Sequence, residues 1–166
     1  MHSRLRLLGL LTSAIWLGGT VFFTFVVAPG LFQPAMKRLF QDYHVGVIAQ
    51  MMQARYFGFH LACAGVALCL ALAEWWTSKR EPRRWALSVL MVVSLLVLAG
   101  ALWLQPKLNS LFEIKYTSPE PASRLVAAAS FPRWHGLSQV LNLLVLGGLV
   151  LHVRHQGQTV PAEYCS

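Results

Sequence analysis

Polar residues at the start of the last apolar segment have the types and spacing that binding chemistry requires. The stretch Phe131 to Asn142 reads FPRWHGLSQVLN. At about 100° per residue on an α-helix, one face about 100° wide holds four of these side chains: His135, Ser138, Gln139 and Asn142. Imidazole and amide groups on one face can hold a metal ion, a haem iron or a small molecule, or they can bond to neighbouring helices.

Two earlier apolar segments carry polar groups at a similar depth. Thr20 and Thr24 are one helical turn apart near the end of the first segment, and His60 lies near the start of the second. At 1.5 Å per residue these positions come close to the level of Asn142. We therefore expect a polar cleft formed by Thr20, Thr24, His60, His135, Ser138, Gln139 and Asn142.

The histidines allow two interpretations of this cleft. His60 and His135 can be axial ligands of haem b, or part of a copper or zinc site to which His44 adds a third ligand. Alternatively, the polar residues form interhelical hydrogen bonds around a cleft without a cofactor. Two histidines with no fixed spacing are a weak metal motif. The pattern therefore favours the second interpretation.

The composition places these residues in a membrane. Of 166 residues, 56% are hydrophobic and only 12% are charged, about half the charged share of a typical soluble domain. Four stretches lack Asp, Glu, Lys and Arg: Leu7 to Met36, Tyr56 to Ala73, Trp85 to Pro106 and Trp134 to Val153. Each is long enough for a helix to cross about 30 Å of hydrocarbon. We predict an all-α membrane protein, a single-domain four-helix bundle over residues 1–166 with spans at about 7–32, 56–76, 85–105 and 134–153.

Four spans put both termini on one side of the membrane. The formal net charge is +8, and the 14 Lys and Arg residues divide equally between the two sides. They are densest from Glu74 to Arg84, where four of 11 residues are basic. The positive-inside rule then predicts a cytoplasmic membrane protein with both termini in the cytoplasm.

The connection between the first two spans has a helical period of its own. Apolar side chains recur at three- and four-residue steps in this connection: Leu39, Phe40, Tyr43, Val47 and Met51. The pattern predicts an amphipathic helix lying along the membrane interface. The alternative is a continuous extension of the second span, which differs only in its angle.

Several function classes find little support. The spans contain no carboxylate, Glu74 lies at the edge of the second one, and no serine or cysteine nucleophile has a paired base in a motif, so the sequence favours no enzymatic reaction. Transport without an ion-coupling group inside the membrane is also disfavoured. The basic residues lie between spans, where anionic lipid headgroups explain them better than nucleic acid does. The expected partners are the lipid bilayer and, beyond it, other membrane proteins or a second copy of the chain.

Three elements resemble a known family: IWLGGTVFFTFVVAPGLF in the first span, QPKLNSLF after the third, and FPRWHGLSQVLNLL at the start of the fourth. In order and spacing they resemble the transmembrane-protein-205-like family of small four-helix membrane proteins. More distantly, the layout is similar to the copper-resistance D and membrane protoporphyrinogen oxidase groups. The family pattern falls on these positions: Gly18, Gly19, Pro29, Phe32, Pro106, Asn109, His135, Gly136, Ser138 and Asn142.

The resemblance implies a four-helix membrane protein, and its distant members imply copper or haem chemistry. The family pattern supplies no reaction. From the residues alone we predict a non-catalytic accessory or small-ligand-handling protein that acts through the polar cleft. A haem or copper protein in electron transfer or porphyrin chemistry is the alternative, and a small transporter is the third.

Overall fold

The computed structural model describes residues 2–78 and 84–157, and these residues form helices and short turns without a strand. Four helical stretches are long and apolar enough to cross a membrane: Arg4–Leu31, Asp42–Thr77, Trp85–Thr117 and Pro121–Gly157. We number them spans one to four. The predicted all-helical fold with four spanning helices is confirmed, and it indicates an integral membrane protein.

The described residues form seven α-helices and two π-helical segments, and all of them except the short α3 belong to the spans. In chain order the α-helices are α1 (His2–Phe22), α2 (Ala28–Leu31), α3 (Pro34–Leu39), α4 (Asp42–Ser78), α5 (Arg84–Ala99), α6 (Gln105–Thr117) and α7 (Pro121–Gly157). The π-helical segment Phe23–Val27 joins α1 to α2 within span one. A second one, Gly100–Leu104, joins α5 to α6 within span three. A short turn at residues 118–120 separates α6 from α7.

A proline explains each π-helical segment. Pro29 and Pro106 both come two residues after such a segment ends. Proline has no N–H group, and its ring crowds the carbonyl four residues earlier, so the preceding turn is disturbed, and at these two prolines it is widened. The wider turn is seen in the backbone, where the N–H of Ala28 donates to the carbonyl of Phe23, and that of Gln105 to the carbonyl of Gly100.

The spans pack in a ring. α1 and α5 each contact both α4 and α7. Their buried core consists of Trp16, Cys63, Ala64, Ala67, Leu90, Val93, Val97, Val145 and Leu149. Small residues let large side chains approach the helices closely. The ring of Phe59 lies so near Gly19 that a Cβ added at Gly19 would be 2.6 Å from it. Such close approach suits a bundle in lipid, where packing rather than the hydrophobic effect holds helices together.

The bundle has two ends. The terminal end carries the start of α1, the end of α4, the start of α5 and the end of α7, while the loop end carries α3 and the turn at residues 118–120. Arg55, Lys107 and Arg133 each lie about 35 Å from the terminal end at 1.5 Å per residue. These three residues mark the border of the uncharged band. Beyond it, α4, α6 and α7 continue for about 18 Å, and α6 contacts both α4 and α7.

The structure does not show the predicted interfacial helix. α4 runs without interruption from Asp42 to Ser78, so Tyr43, Val47 and Met51 belong to an extension of span two. Leu39 ends the short α3, and Phe40 lies between the two helices. The extension is stable as part of the bundle because Tyr43 stacks on Phe112 of α6, with ring centroids 5.8 Å apart. Gly46 lies against the same Phe112 ring.

Candidate functional site

A cavity of about 370 Å³ lies between spans one, two and four. It extends across the border at Arg55, because Ala49 and Gln53 line it on the loop side and His60 lines it on the terminal side. Its polar wall residues are Thr24, Gln53, Tyr56, His60, His135, Ser138, Gln139 and Asn142. Val97 and Val145, which also belong to the buried core, complete the wall on the side of that core. The remaining lining is apolar, and none of the lining residues is Asp, Glu, Lys or Arg.

Asn142 joins the three spans that form the cavity. Its Oδ1 accepts a hydrogen bond of 2.7 Å from the hydroxyl of Tyr56 on span two. Its Nδ2 donates a bond of 2.7 Å to Oγ1 of Thr24 on span one. Thr24 can reach it because it lies in the π-helical segment Phe23–Val27. The Tyr56 ring stacks on that of Phe23 from the same segment, with centroids 3.9 Å apart.

His60 is held by a tryptophan. Nε1 of Trp16 donates a hydrogen bond of 2.7 Å to Nδ1 of His60. Both residues are buried, with exposed fractions of 0% and 2%. An indole nitrogen is only a donor, so Nδ1 must be the acceptor. A neutral His60 therefore carries its proton on Nε2, which is left to donate.

His135 is oriented by its own helix. The side-chain amide nitrogen of Gln139 lies 3.2 Å from Nε2 of His135, one turn away. An amide nitrogen only donates, so Nε2 accepts and the proton of a neutral imidazole lies on Nδ1. The ring also stacks on Phe131, with centroids 6.1 Å apart. The Ser138 hydroxyl donates to the backbone carbonyl of His135 at 2.7 Å.

These hydrogen bonds do not suit the two histidines as haem or metal ligands. A ligating imidazole usually donates its other N–H to an acceptor, which fixes the metal-binding nitrogen as a bare lone pair. His60 has the opposite arrangement, because Trp16 occupies the Nδ1 lone pair and leaves Nε2 protonated. His44 does not line the cavity, and its ring lies against Tyr43 instead. Over residues 2–78 and 84–157, no three His, Cys, Asp or Glu side chains form a group that can hold a metal ion.

The structure brings together most of the residues that the sequence singled out. Thr24, His60, His135, Ser138, Gln139 and Asn142 all line the cavity. Thr20 does not, since it is fully buried and its hydroxyl donates to the carbonyl of Trp16 at 2.7 Å.

Three important residues were missed by reasoning from the sequence. Trp16 lies one turn before Thr20 on the same face of α1, and Tyr56 lies one turn before His60 on α4. Gln53 is one turn further from His60, on the same side of the helix. The helical spacing that linked the predicted residues also contains these three.

The fold and the site define a class: a multi-pass membrane protein whose helices enclose an uncharged cavity. The chain belongs to the family described as a domain of unknown function (DUF4149), whose model matches residues 11–117. No curated protein and no solved structure shows a match to the chain. The family match includes Thr24, Tyr56 and His60, whereas His135 and Asn142 lie on α7 beyond its end.

Proposed function

We propose that this protein binds a small uncharged molecule in the cavity and serves as a non-catalytic accessory protein of the membrane. The observation that carries the proposal is the convergence of uncharged polar groups from spans one, two and four on one cavity. Interhelical bonding alone explains Asn142, Thr24 and Tyr56. It does not explain why Gln53 on span two and His135 on span four also line this space, and a ligand gives them a partner.

The wall chemistry supports a neutral ligand. An ion taken from water into an apolar site must find an opposite charge, and the lining offers none. A volume of about 370 Å³ is near the lower end of the range for small-molecule pockets, about 300–1,000 Å³. The cavity is therefore large enough for one ring system or a short chain, and neutral hydrogen-bonding groups can orient it.

The setting of the protein is part of the same proposal. We place it in the cytoplasmic membrane with both termini in the cytoplasm, because the basic residues are densest between Glu74 and Arg84. Its immediate partner is the lipid bilayer. The sequence elements around Gly18, Pro29 and His135 support a relationship to the transmembrane-protein-205-like family.

Native mass spectrometry tests the binding proposal directly. The protein is extracted into lipid nanodiscs, released in the spectrometer and examined for a small molecule that stays bound. Ala49 lines the cavity, so Ala49→Trp fills it and is expected to remove the bound mass. Leu125→Trp is the matched control, because Leu125 is 72% exposed and does not line the cavity.

Two results would contradict the proposal. The first is a wild-type protein that carries no small molecule under any release energy that keeps the bundle folded. The second is a bound mass that persists in Ala49→Trp, since that molecule would then occupy another place. Circular dichroism of both variants establishes that the helices are intact.

A further inference from the structure

We infer that the ligand is the oxidised ring of a lipid-soluble quinone, which reaches the cavity from the hydrocarbon phase. This inference rests on the proposed binding function and names the chemical class of its ligand. It follows from the hydrogen-bonding capacity that the protein leaves unused, from the aromatic character of the wall and from the position of the opening.

Both histidines of the cavity wall keep an N–H group that can donate to a ligand. His60 retains its Nε2–H, because Nδ1 accepts from Trp16. His135 retains its Nδ1–H, because Nε2 accepts from Gln139. Thr24 is engaged on both sides, because its oxygen accepts from Asn142 and its hydroxyl is hydrogen-bonded to Tyr56. A matching ligand therefore brings acceptor oxygens and few donors of its own.

One wall acceptor is already engaged, because Oδ1 of Asn142 accepts from Tyr56. A quinone ring has two carbonyl oxygens on opposite sides and no donor. The two imidazole N–H groups lie on different spans, so each can serve one carbonyl. A quinol offers these N–H groups hydroxyl oxygens in place of carbonyl oxygens, and its own two O–H groups each need an acceptor.

The wall suits a flat ring. Phe23, Tyr56 and Phe57 line the cavity from two spans, and aromatic faces pack well on a planar ligand. Gly100 permits this arrangement, because a Cβ there would lie 2.6 Å from the Phe57 ring. His60 meets the Tyr56 ring edge to face, with centroids 4.2 Å apart, which fixes the imidazole relative to the aromatic wall.

The cavity reaches the outside of the bundle within the apolar band. Leu143 lines it and is 54% exposed, although it lies in the uncharged part of span four. Phe32 lines it at the loop end of span one and is 47% exposed. Exposed apolar side chains at this depth face lipid. A ligand with a hydrocarbon tail can therefore place its ring inside and leave its tail in the bilayer.

The test is equilibrium binding of a decyl-substituted 1,4-benzoquinone to the protein in nanodiscs, with empty nanodiscs subtracted to remove partitioning into lipid. The matched probe is the corresponding decyl-1,4-dimethoxybenzene, which keeps a planar six-membered ring and the tail but has a methoxy group in place of each carbonyl. We expect quinone binding to be saturable. The affinity for the dimethoxybenzene is expected to be at least about fivefold lower, and so is the affinity for the quinol, which is measured under anaerobic conditions. His60→Phe keeps a ring and removes the donor, so it is expected to weaken quinone binding about five- to tenfold.

Ser94→Ala is the control variant, because Ser94 is buried in span three, bonds to the carbonyl of Leu90 and does not line the cavity. It is expected to bind quinone as the wild type does. Equal affinity for quinone and dimethoxybenzene, or unchanged affinity in His60→Phe, would overturn the quinone assignment. If native mass spectrometry then still shows another molecule that Ala49→Trp removes, the binding function stands without the quinone. If neither probe nor any native molecule binds, both proposals fail.

Discussion

At the scale of single residues, two side chains determine what the cavity can do. Trp16 fixes the tautomer of His60 by a bond of 2.7 Å, and Asn142 joins Tyr56 to Thr24 by two bonds of the same length. In the first case the indole N–H of Trp16 occupies the Nδ1 lone pair of His60, so the imidazole keeps a proton on Nε2 and can donate it to a carbonyl oxygen. In the second, one amide couples three helices. The character of the site thus depends on which hydrogen bonds are already made.

The state of His60 can be measured by nitrogen NMR. With ¹⁵N-labelled histidine in lipid, we expect Nδ1 of His60 to show the shift of an unprotonated acceptor and Nε2 that of an N–H group. Trp16→Phe removes the donor, so the Nδ1 signal should move toward that of an imidazole without this bond. His44 lies outside the cavity, and its signals are the internal control. A proton on Nδ1 in the wild type would show that the Trp16 bond is not made.

The Asn142 network is testable by mutation. Asn142→Ala removes both interhelical bonds and is expected to lower the free energy of unfolding by about 1–2 kcal/mol, whereas Tyr56→Phe or Thr24→Val removes one bond and about 0.6 kcal/mol. Reversible unfolding in mixed detergent measures these values. A double-mutant cycle of Tyr56→Phe with Asn142→Ala should give a coupling near 0.6 kcal/mol. Leu144→Ala on the lipid-facing side is the control and should change the free energy of unfolding little. If the effects of Tyr56→Phe and Asn142→Ala were additive, the hydrogen bond between Tyr56 and Asn142 would be absent.

At the scale of elements, the two π-helical segments change the direction in which side chains leave the helix, relative to a regular α-helix. Thr24 lies inside the segment that ends two residues before Pro29, and it is the residue of span one that bonds to Asn142. A widened turn is equivalent to one inserted residue, so it changes the angular register of the helix by about 100°. The proline therefore sets the position of a cavity residue that lies a turn away from it.

The sequence predicted the elements better than it predicted their geometry. Uncharged stretches of sufficient length gave the four spans, and helical spacing put His135, Ser138, Gln139 and Asn142 on one face. The same reasoning grouped Thr20 with Thr24, but a regular helix was assumed. The proline at position 29 was the sequence signal for the π turn, although proline alone does not distinguish a kink from a widened turn. The tautomer of His60 depends on Trp16, which is 44 residues away, so no local pattern contains it.

Replacing the proline tests this role of the element. Pro29→Ala restores an N–H group and lets the turn return to α-helical geometry, which should rotate Thr24 away from Asn142. In that background the coupling between Thr24→Val and Asn142→Ala is expected to fall from about 0.6 kcal/mol toward zero. Pro106→Ala is the matched control, because it follows the other π-helical segment, which contributes no residue to the cavity. Loss of the coupling in Pro106→Ala, or its retention in Pro29→Ala, would contradict the local role of the proline.

At the scale of the whole molecule, the bundle has two regions with different surroundings. The uncharged band between the terminal end and the level of Arg55, Lys107 and Arg133 carries most of the cavity lining. The extensions of α4 and α6 beyond it are joined by aromatic contacts such as that between Tyr43 and Tyr116, with centroids 5.4 Å apart. The cavity extends across the border, so a ring bound there lies close to the membrane surface. This position suits a lipid-soluble molecule whose polar ring lies near the membrane surface.

Cysteine labelling in cells tests both the depth of the bundle and its orientation. In a background with the native cysteines replaced, Leu125→Cys lies on the extension of α7, Leu144→Cys lies in the uncharged band, and Trp76→Cys lies near the terminal end, all at exposed positions. A thiol in hydrocarbon does not ionise and reacts poorly with maleimides, so Leu144→Cys should stay unlabelled even in permeabilised cells. With both termini in the cytoplasm, an impermeant maleimide should label Leu125→Cys in intact cells and Trp76→Cys only after permeabilisation. The reverse pattern would show that the bundle has the opposite orientation, with the cavity next to the cytoplasmic surface. Rapid labelling of Leu144→Cys would show that the uncharged band does not lie in lipid.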